Sequence, residues 1–505
     1  MKDPKKHLIR NIFSNWALMV TGAVIAFFMS PFLVHTLGKE EYGIWALIFS
    51  IIAYMNFFDI GMKQSLARFL SRHYATGDHD GLNAVINSGN VIYSITGSLV
   101  ILATLVVAYF FLDAFNIATE LRPVMRTALI IIGLNQAVYF FFMTGTAIGP
   151  FHRYDISNAI EITFSISNAL VVVYFLKQGH GLVTLAIITI SVNVVRSVVR
   201  RIVQQRLVPQ IRWRLRYVRR DRIGELLGYG VVSFLIVISW MVIFNIDNVV
   251  IGIYISTTAV TFYSIGAQII TYLRTIIAGI ATPLVPAISH LDATSDTDEI
   301  TALYGKVSRY LYYLSGCICV GLFMVADKFI FLWMGPEFTD TVEVLMILAI
   351  PACIYLPQVT ANSVLLGIGR HLPLFYVLAA EAVSNAVLSL ILVRSLGIHG
   401  VALGTAIPQL VIYIFVYPWV FHRIIGADLR RFYLTSAGML VYAAVFTLPA
   451  AVLMKYINII PGWGGLAVDV AVIGGLALVG FWFKVLEDDD RARLSSKLGR
   501  KTTPA

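Results

Sequence analysis

Arg274 stands about fourteen residues into the apolar run 260–288, in the sequence AQIITYLRTIIAGIATPLVPAI. A guanidinium at the middle of a spanning helix costs roughly 2.5–3.5 kcal/mol on insertion scales. It is too deep to snorkel to an interface, so it must face a water-filled cavity or a carboxylate. Asn245, Asp247 and Asn248 form a second polar point, NIDN, near the outer end of the apolar run 226–252. They could line a wet lumen, or Asp247 could be a helix-end acid reaching the outer interface. Asn158, Glu161, Ser165 and Asn168 recur at spacings of three, four and three, which is one helical face. Glu381, Asn385 and Ser389 repeat the pattern. Lipid offers no hydrogen-bond partners, so such a stripe faces either a lumen or a neighbouring helix. Asp59 and Arg68 lie near the inner end of the run 42–62, where an interfacial role suffices. Cys317, Cys319 and Cys353 all fall in apolar segments. A Cys-x-Cys pair on a helix points to two faces, so these read as small apolar filler and not as a metal or redox site.

The elements that must carry these groups are helices. The 505 residues are 58% hydrophobic and 13% charged, with mean hydropathy +0.80. A soluble chain carries about a quarter charged residues. The deficit runs the whole length, which specifies an all-α integral membrane protein with no soluble domain. A span needs roughly 20 apolar residues. About fourteen segments pass, near 11–37, 42–62, 85–112, 124–149, 156–176, 182–203, 226–252, 260–288, 306–334, 341–367, 373–394, 400–422, 433–455 and 465–486. The first follows Lys5, Lys6 and Arg10 but is too long for a signal peptide core, and reads as a retained helix.

With the N-terminus inside, 29 of the 38 Lys and Arg fall on inner loops and 7 on outer ones. This asymmetry predicts both termini in the cytoplasm. The net charge of +10 is mostly this topology signal, and basic residues scattered over inner loops do not make a nucleic-acid surface. The inner segment 200–225, RRIVQQRLVPQIRWRLRYVRRDRIGE, interleaves arginines with Val208, Ile211, Trp213, Leu215 and Val218. It reads equally as an amphipathic segment on anionic membrane lipids and as an ordinary basic loop. Outer loops of about 4–15 residues leave no room for the catalytic domain of a membrane glycosyltransferase or polymerase. There is no phosphate-binding G-x-x-x-x-G-K-[ST] loop, which excludes ATP hydrolysis by this chain. No enzyme activity and no cofactor are expected.

The chain repeats itself. EITFSISNALVVVYFLKQGHG at 161–181 matches EAVSNAVLSLILVRSLGIHG at 381–400 at an offset of about 217–219. Two six-helix lobes follow, 1–223 and 224–424, with a C-terminal helix pair and tail at 425–505. Lobes that both start and end inside are related by an axis along the membrane normal, and transporters place their path between such halves. Prolines 31, 283, 286, 351, 357 and 408 lie within spans, where they permit bends.

The opening region, NIFSNWALMVTGAVIAFFMSPFLVHTLGKEEYGIWALIFSIIAYMNFFDIGMKQSLARFLS, resembles the polysaccharide flippase family. That family belongs to the multidrug/oligosaccharidyl-lipid/polysaccharide exporter superfamily. Leu37, Gly38, Glu41, Tyr42, Gly43 and Trp45 match at the first outer turn, then Asp59, Ile60, Gly61 and Arg68. Asp247, Gly252 and Tyr263 match in NIDNVVIGIYISTTAVTFYSIGAQI. The resemblance implies export of a polyprenyl-pyrophosphate-linked oligosaccharide from the inner to the outer leaflet by alternating access. The setting would be lipopolysaccharide or exopolysaccharide biosynthesis at a bacterial inner membrane, with glycosyltransferase and polymerase partners and a coupling proton or sodium ion. It implies a cavity drawn from Arg274, Asp247, Asn245, Asn248, Glu161, Asn168, Glu381 and Asn385. Arg274 would be the central pyrophosphate partner, with Arg68, Arg72 and Arg309 at the inner mouth. The alternative within the superfamily is a cation-coupled drug or metabolite antiporter. Twelve helices would favour that alternative, whereas the extra pair at 433–486 favours the flippase.

Overall fold

The structure is a computed structural model. It describes residues 4–59, 61–151, 153–229, 231–294, 297–426, 428–457 and 461–499. Ile60 of the Asp59-Ile60-Gly61 motif lies outside them, as do Lys2, Arg500 and Lys501 of the charge count. Among the described residues every regular element is helical. Two compact units divide between Ser264 and Ile265.

Unit 1 contains α1 (Pro4–Tyr54), α2 (Met62–Ala75), α3 (His79–Val106), α4 (Arg122–Phe141), α5 (Tyr154–Lys177), α6 (Leu182–Leu207), α7 (Arg220–Tyr229) and α8 (Val231–Tyr254). The division falls inside α9 (Thr257–Ala281). Unit 2 contains α10 (Leu284–Ala293), α11 (Thr297–Trp333), α12 (Thr339–Tyr355), α13 (Val359–Gly367), α14 (His371–Val411), α15 (Tyr417–Ile425), α16 (Leu429–Ile457), α17 (Gly462–Gly480) and α18 (Asp488–Gly499). The expected lobe boundary at 223/224 precedes α8, whereas α8 packs on α1 within unit 1. Asn248 on α8 donates to Ser50 Oγ on α1 at 2.9 Å, and Gly252 lies against Leu47.

Among the described residues, eleven helices are long and apolar enough to cross a membrane, or twelve if the pair α12–α13, bent by 44°, is one span. The sequence led us to expect about fourteen segments. Two of the long helices, Phe13–Asp59 and His371–Ile425, each cover two of those segments. Each carries a non-helical glycine at the expected turn, Gly38 (φ 83°) and Gly397 (φ 58°). Positive φ is a region that glycine enters without steric cost. Pro357 lies at the α12–α13 bend, and Pro283 caps α10 after the break that ends α9.

The first outer turn shows what its motif does. Gly38 breaks α1. Glu41 Oε2 accepts from the Leu182 amide at 3.1 Å, so it satisfies an orphan donor at the start of α6. Thr261 Oγ1 donates to the Lys39 carbonyl at 2.5 Å. A side chain at Gly43 would strike the Thr257 carbonyl where α9 begins. Glu41 and Gly43 of this turn therefore join helices.

The basic linker between α6 and α7 is irregular, with a turn at 209–210 and a single 3-10 turn at Leu215–Tyr217, and α7 begins at Arg220. The polar stripe of α3 grips it in ladder fashion. Asn83 donates to the Gln210 carbonyl at 3.1 Å and accepts from the Arg212 amide at 2.6 Å. Asn87 donates to the Arg212 carbonyl at 2.8 Å and accepts from the Arg214 amide at 2.9 Å. Ser88 accepts from the Arg219 amide at 3.0 Å. Val208 and Ile211 are buried, while Arg212, Arg214 and Leu215 point to the exterior.

In unit 2 the break at Gly397 folds α14 back on itself. Glu381 pairs with Gln409, Asn385 with Thr405 and Ser389 with Val401, each pair centred on Ser395. The halves approach closely because Gly404 lies directly against the backbone of Ser389 and Gly400 against that of Leu392. A Cβ at residue 404 would meet the Ser389 hydroxyl and the rigid backbone behind it, and overpacking of this kind costs about 1–3 kcal/mol. Gly404→Ala should therefore lower the melting temperature of detergent-solubilised protein by several degrees. Gly474→Ala, where nothing lies within 4 Å of the added carbon, should melt like the wild type. Tryptophan-fluorescence melting measures both.

Candidate functional site

The hairpin of α14 builds the polar centre of unit 2. Glu381 is 2% exposed. Gln409 Nε2 donates to its Oε1 at 3.1 Å and Tyr413 Oη to its Oε2 at 3.0 Å. Gln358, between α12 and α13, donates to the Tyr413 carbonyl at 2.6 Å and so fixes that backbone. The half-buried Arg274 of α9 interacts electrostatically with Glu381, Tyr355 and Tyr413. The two expected centres, Arg274 and Glu381, are thus brought together with two tyrosines and a carboxamide. Asn385 turns to Thr405 Oγ1 at 2.9 Å and Ser389 to the Val401 carbonyl at 3.4 Å. The stripe of α14 spends itself on the facing half-helix.

Unit 1 carries the equivalent carboxylate differently. Glu161 on α5 accepts from Arg196 and from Arg200, the latter at 3.0 Å, both on α6. Arg200 also donates to Ser157 Oγ at 2.6 Å. The expected stripe of α5 divides. Asn158 faces α1, donating to Ser14 Oγ at 3.0 Å and Asn15 Oδ1 at 2.5 Å. Asn168 has a buried Oδ1 with no hydrogen-bond partner among the described residues. On the neighbouring helices, Asn193 donates to Asn135 Oδ1 at 2.7 Å and Gln136 to Asn56 Oδ1 at 3.0 Å.

NIDN sends its side chains three ways. Asn245 donates to the Met241 carbonyl of its own helix at 3.0 Å. Asn248 bridges to Ser50 on α1 at 2.9 Å. Asp247 accepts from Tyr263 Oη on α9 and interacts with Tyr54. Asp247 is 4% exposed, which rules out the reading of a helix-end acid at the outer interface. Its ionic cost is met by the phenol of Tyr263, a residue of the same sequence match.

The inner-mouth cations differ among themselves. Arg68 and Arg72 are exposed on α2. Arg309 on α11 donates to the Val485 carbonyl and lies 3.8 Å from Glu487. Lys306, one turn earlier, meets Asp490 at 2.5 Å and Glu487 at 3.2 Å. The acidic start of α18 is therefore seated on the cations of α11. Among the described residues no three His, Cys, Asp or Glu side chains are grouped to hold a metal ion, and the three cysteines are free.

Sequence reasoning missed Arg196, Arg200, Gln409 and Tyr413. Arg200 had been counted as an inner-loop charge and Arg196 left unassigned within a span. A signal was present, because each pair is four residues apart and so lies on one face of its helix. Both pairs sit across a hairpin from a repeat glutamate.

Residues 32–343 match the profile of a family described as polysaccharide biosynthesis protein. The chain belongs to that family. It is 24% identical over 514 residues to the uncharacterized membrane protein EpsK of Bacillus subtilis (strain 168), covering 98% of each chain. Among solved structures it is similar to a multidrug resistance MATE family transporter of the MOP superfamily in an inward-facing conformation. There the TM-score is 0.69 and the identity 16%, over 82% of this chain and 96% of the other. It is also similar to the lipid II flippase MurJ in an inward closed conformation, at TM-score 0.68 and 12% identity, over 94% of this chain and 98% of the other. The chain is a multi-pass membrane protein with the fold that these structures share.

The two arginines around Glu161 repel each other once the carboxylate is gone. Removing one member of a buried pair costs about 3–5 kcal/mol, and the partial exposure of these three side chains argues for the low end. Glu161→Gln should be destabilised by about 3 kcal/mol by that measure, and adding Arg200→Gln should restore much of the loss. A double-mutant cycle on melting of the purified protein reads the coupling.

Proposed function

We propose that this protein turns a polyprenyl-pyrophosphate-linked oligosaccharide from the inner to the outer leaflet of a bacterial inner membrane, by alternating access, for surface polysaccharide assembly. The observation that carries this reading is membership of the polysaccharide biosynthesis family over residues 32–343. The length of the fold supports it. Beyond α15 the chain has a further pair of apolar helices, Leu429–Met454 and Gly462–Val485. The match to MurJ, whose name gives a lipid-linked cargo, takes in 94% of the chain, against 82% for the MATE transporter.

The polar centres suit the task. A pyrophosphate needs a cation, and Arg274 supplies one that interacts with Glu381, whose two oxygens accept from Gln409 and Tyr413. A guanidinium can present paired N–H donors to phosphate oxygens. Arg68 and Arg72, exposed on α2, supply a first contact at the inner mouth on this reading. Asn245, Asp247, Asn248, Asn168 and Asn385 are hydrogen-bonded or orphaned polar groups in the same proposal, as contacts for sugar hydroxyls or for a coupling proton or sodium ion. On this reading both termini lie in the cytoplasm, which the excess of basic residues on inner loops supports.

A deletion strain tests the reading. It should lose surface polysaccharide and accumulate the undecorated lipid-linked unit on the inner leaflet. The wild-type gene should restore export, and Arg274→Ala, inserted at equal level, should not. Normal polysaccharide with Arg274→Ala would remove that residue from the site. Normal polysaccharide in the deletion strain, with increased drug sensitivity, would favour the antiporter.

A further inference from the structure

None of the roles above uses the basic linker, and the structure fixes where it lies. The helical run that α3 begins at His79 continues to Ala114, a length of 36 residues. About 20 would cross the hydrocarbon. The polar residues of the run, Asp80, Asn83, Asn87 and Ser88, cluster in its first turns. The surplus therefore stands at the membrane surface that the excess of basic residues marks as inner. The linker is bonded at that level. Asn83, Asn87 and Ser88 lie roughly 6–14 Å from the start of the helix, at about 1.5 Å per residue. They hold the backbone of Gln210, Arg212, Arg214 and Arg219. On its other side the linker doubles back along the last turns of α6. Gln205 donates to the Ile211 carbonyl at 3.0 Å and accepts from Trp213 Nε1 at 3.3 Å. The Arg201 guanidinium lies 4.3 Å from the centre of the Trp213 ring. A loop tied to two spanning helices stays at the depth of the lipid head groups.

This anchored loop presents one aliphatic side chain. Leu215, on the 3-10 turn Leu215–Tyr217, is 84% exposed. The large hydrophobics next to it in exposure, Phe110 at 80% and Phe13 at 72%, lie within spanning helices, whereas Leu215 lies outside every apolar span. Arg212, Arg214, Arg216, Arg219 and Arg220 are exposed around it. None of these five has an ion-pair partner among the described residues. The acids that follow them, Asp221 and Glu225, are both taken by Arg222, at 3.8 and 2.6 Å. Arg216 Nη2 donates to Tyr217 Oη at 3.1 Å, and Arg212 interacts with the same phenol.

The chemistry of the loop selects its occupant. Guanidiniums bind phosphate oxygens, an exposed leucine is stabilised by hydrocarbon, and tyrosine favours the boundary between the two. A soluble anion meets the first need alone. A bilayer surface carrying anionic lipid meets all three at one depth.

We propose that the linker 208–220 is a docking site for anionic phospholipid of the inner leaflet. Leu215 enters among the acyl chains, and Arg212, Arg214, Arg216, Arg219 and Arg220 bind the phosphates around it. The site lies wholly in unit 1 and does not depend on what the protein carries.

Spin-label depth measurements on the full-length protein in nanodiscs test it, with Cys317, Cys319 and Cys353 changed to alanine. A nitroxide on Leu215→Cys is read by its collisions with oxygen, which enters lipid, and with a nickel chelate, which stays in water. Thr76→Cys, exposed at the end of α2, is the water reference. With phosphatidylglycerol mixed into phosphatidylcholine, position 215 should be shielded from nickel several-fold relative to position 76. Shielding should fall several-fold in phosphatidylcholine alone, and again when Arg212, Arg214 and Arg216 are changed to glutamine, since each cation near an anionic surface contributes about fivefold. Native mass spectrometry reads the leucine itself. Retained phosphatidylglycerol should drop in Leu215→Ser and in the arginine variant, and not in Gly474→Ala. Equal shielding in the two lipid compositions, or none in either, overturns the proposal. Shielding produced in phosphatidylcholine by added soluble pyrophosphate assigns the arginines to a free anion and overturns it. A label open to nickel in nanodiscs but shielded in native membrane vesicles places a protein on the loop and also overturns it.

Discussion

A carboxylate buried in a bilayer must find its donors on a neighbouring helix, because lipid supplies none. Glu381 shows how much of the architecture follows from that requirement. Gln409 and Tyr413 reach its two oxygens only because α14 folds back at Gly397. The halves come close enough only because residues 400 and 404 are glycines set against backbone. Gln358 then holds the carbonyl of Tyr413. Arg274 meets a carboxylate whose position is already fixed on two sides.

The repeat copy solves the same problem with charge. Glu161 occupies the position of Glu381 in the sequence repeat, but its hairpin partners are Arg196 and Arg200. Two guanidiniums for one carboxylate leave unit 1 with a net positive centre within the span. One unit thus carries a polar centre whose carboxylate meets a carboxamide and a phenol, and the other one whose carboxylate meets two guanidiniums. The first outer turn supports the hairpin of unit 1 through Glu41, which caps α6. Residues that mark the family are here mostly residues that join helices.

Much of the fold was legible because membrane insertion writes itself into composition. Apolar length marks the long helices. At Gly38 and Gly397 a glycine at positive φ breaks a long helical stretch where the sequence led us to expect a turn between two segments. The site was legible in part. Depth singled out Arg274 and the polar stripe singled out Glu381, and the two interact electrostatically in the structure. Depth could not say which way a stripe faces, so Asn158 was grouped with Glu161 although it turns to α1. NIDN looked like a lumen cluster, yet its acid is answered by Tyr263 and its second amide by Ser50. Partner choice depends on helix packing, which no single stripe encodes.

Translocation by purified protein is the most direct measurement. Proteoliposomes containing a polyprenyl-pyrophosphate-linked oligosaccharide would be sampled with an externally added lectin that reads only outward-facing sugar. Wild-type protein should bring the internal pool to the surface, and Arg274→Gln, reconstituted in equal amount, should leave it inside. Equal exposure with the two proteins, or none with either while drug efflux proceeds, would contradict a flippase built around Arg274.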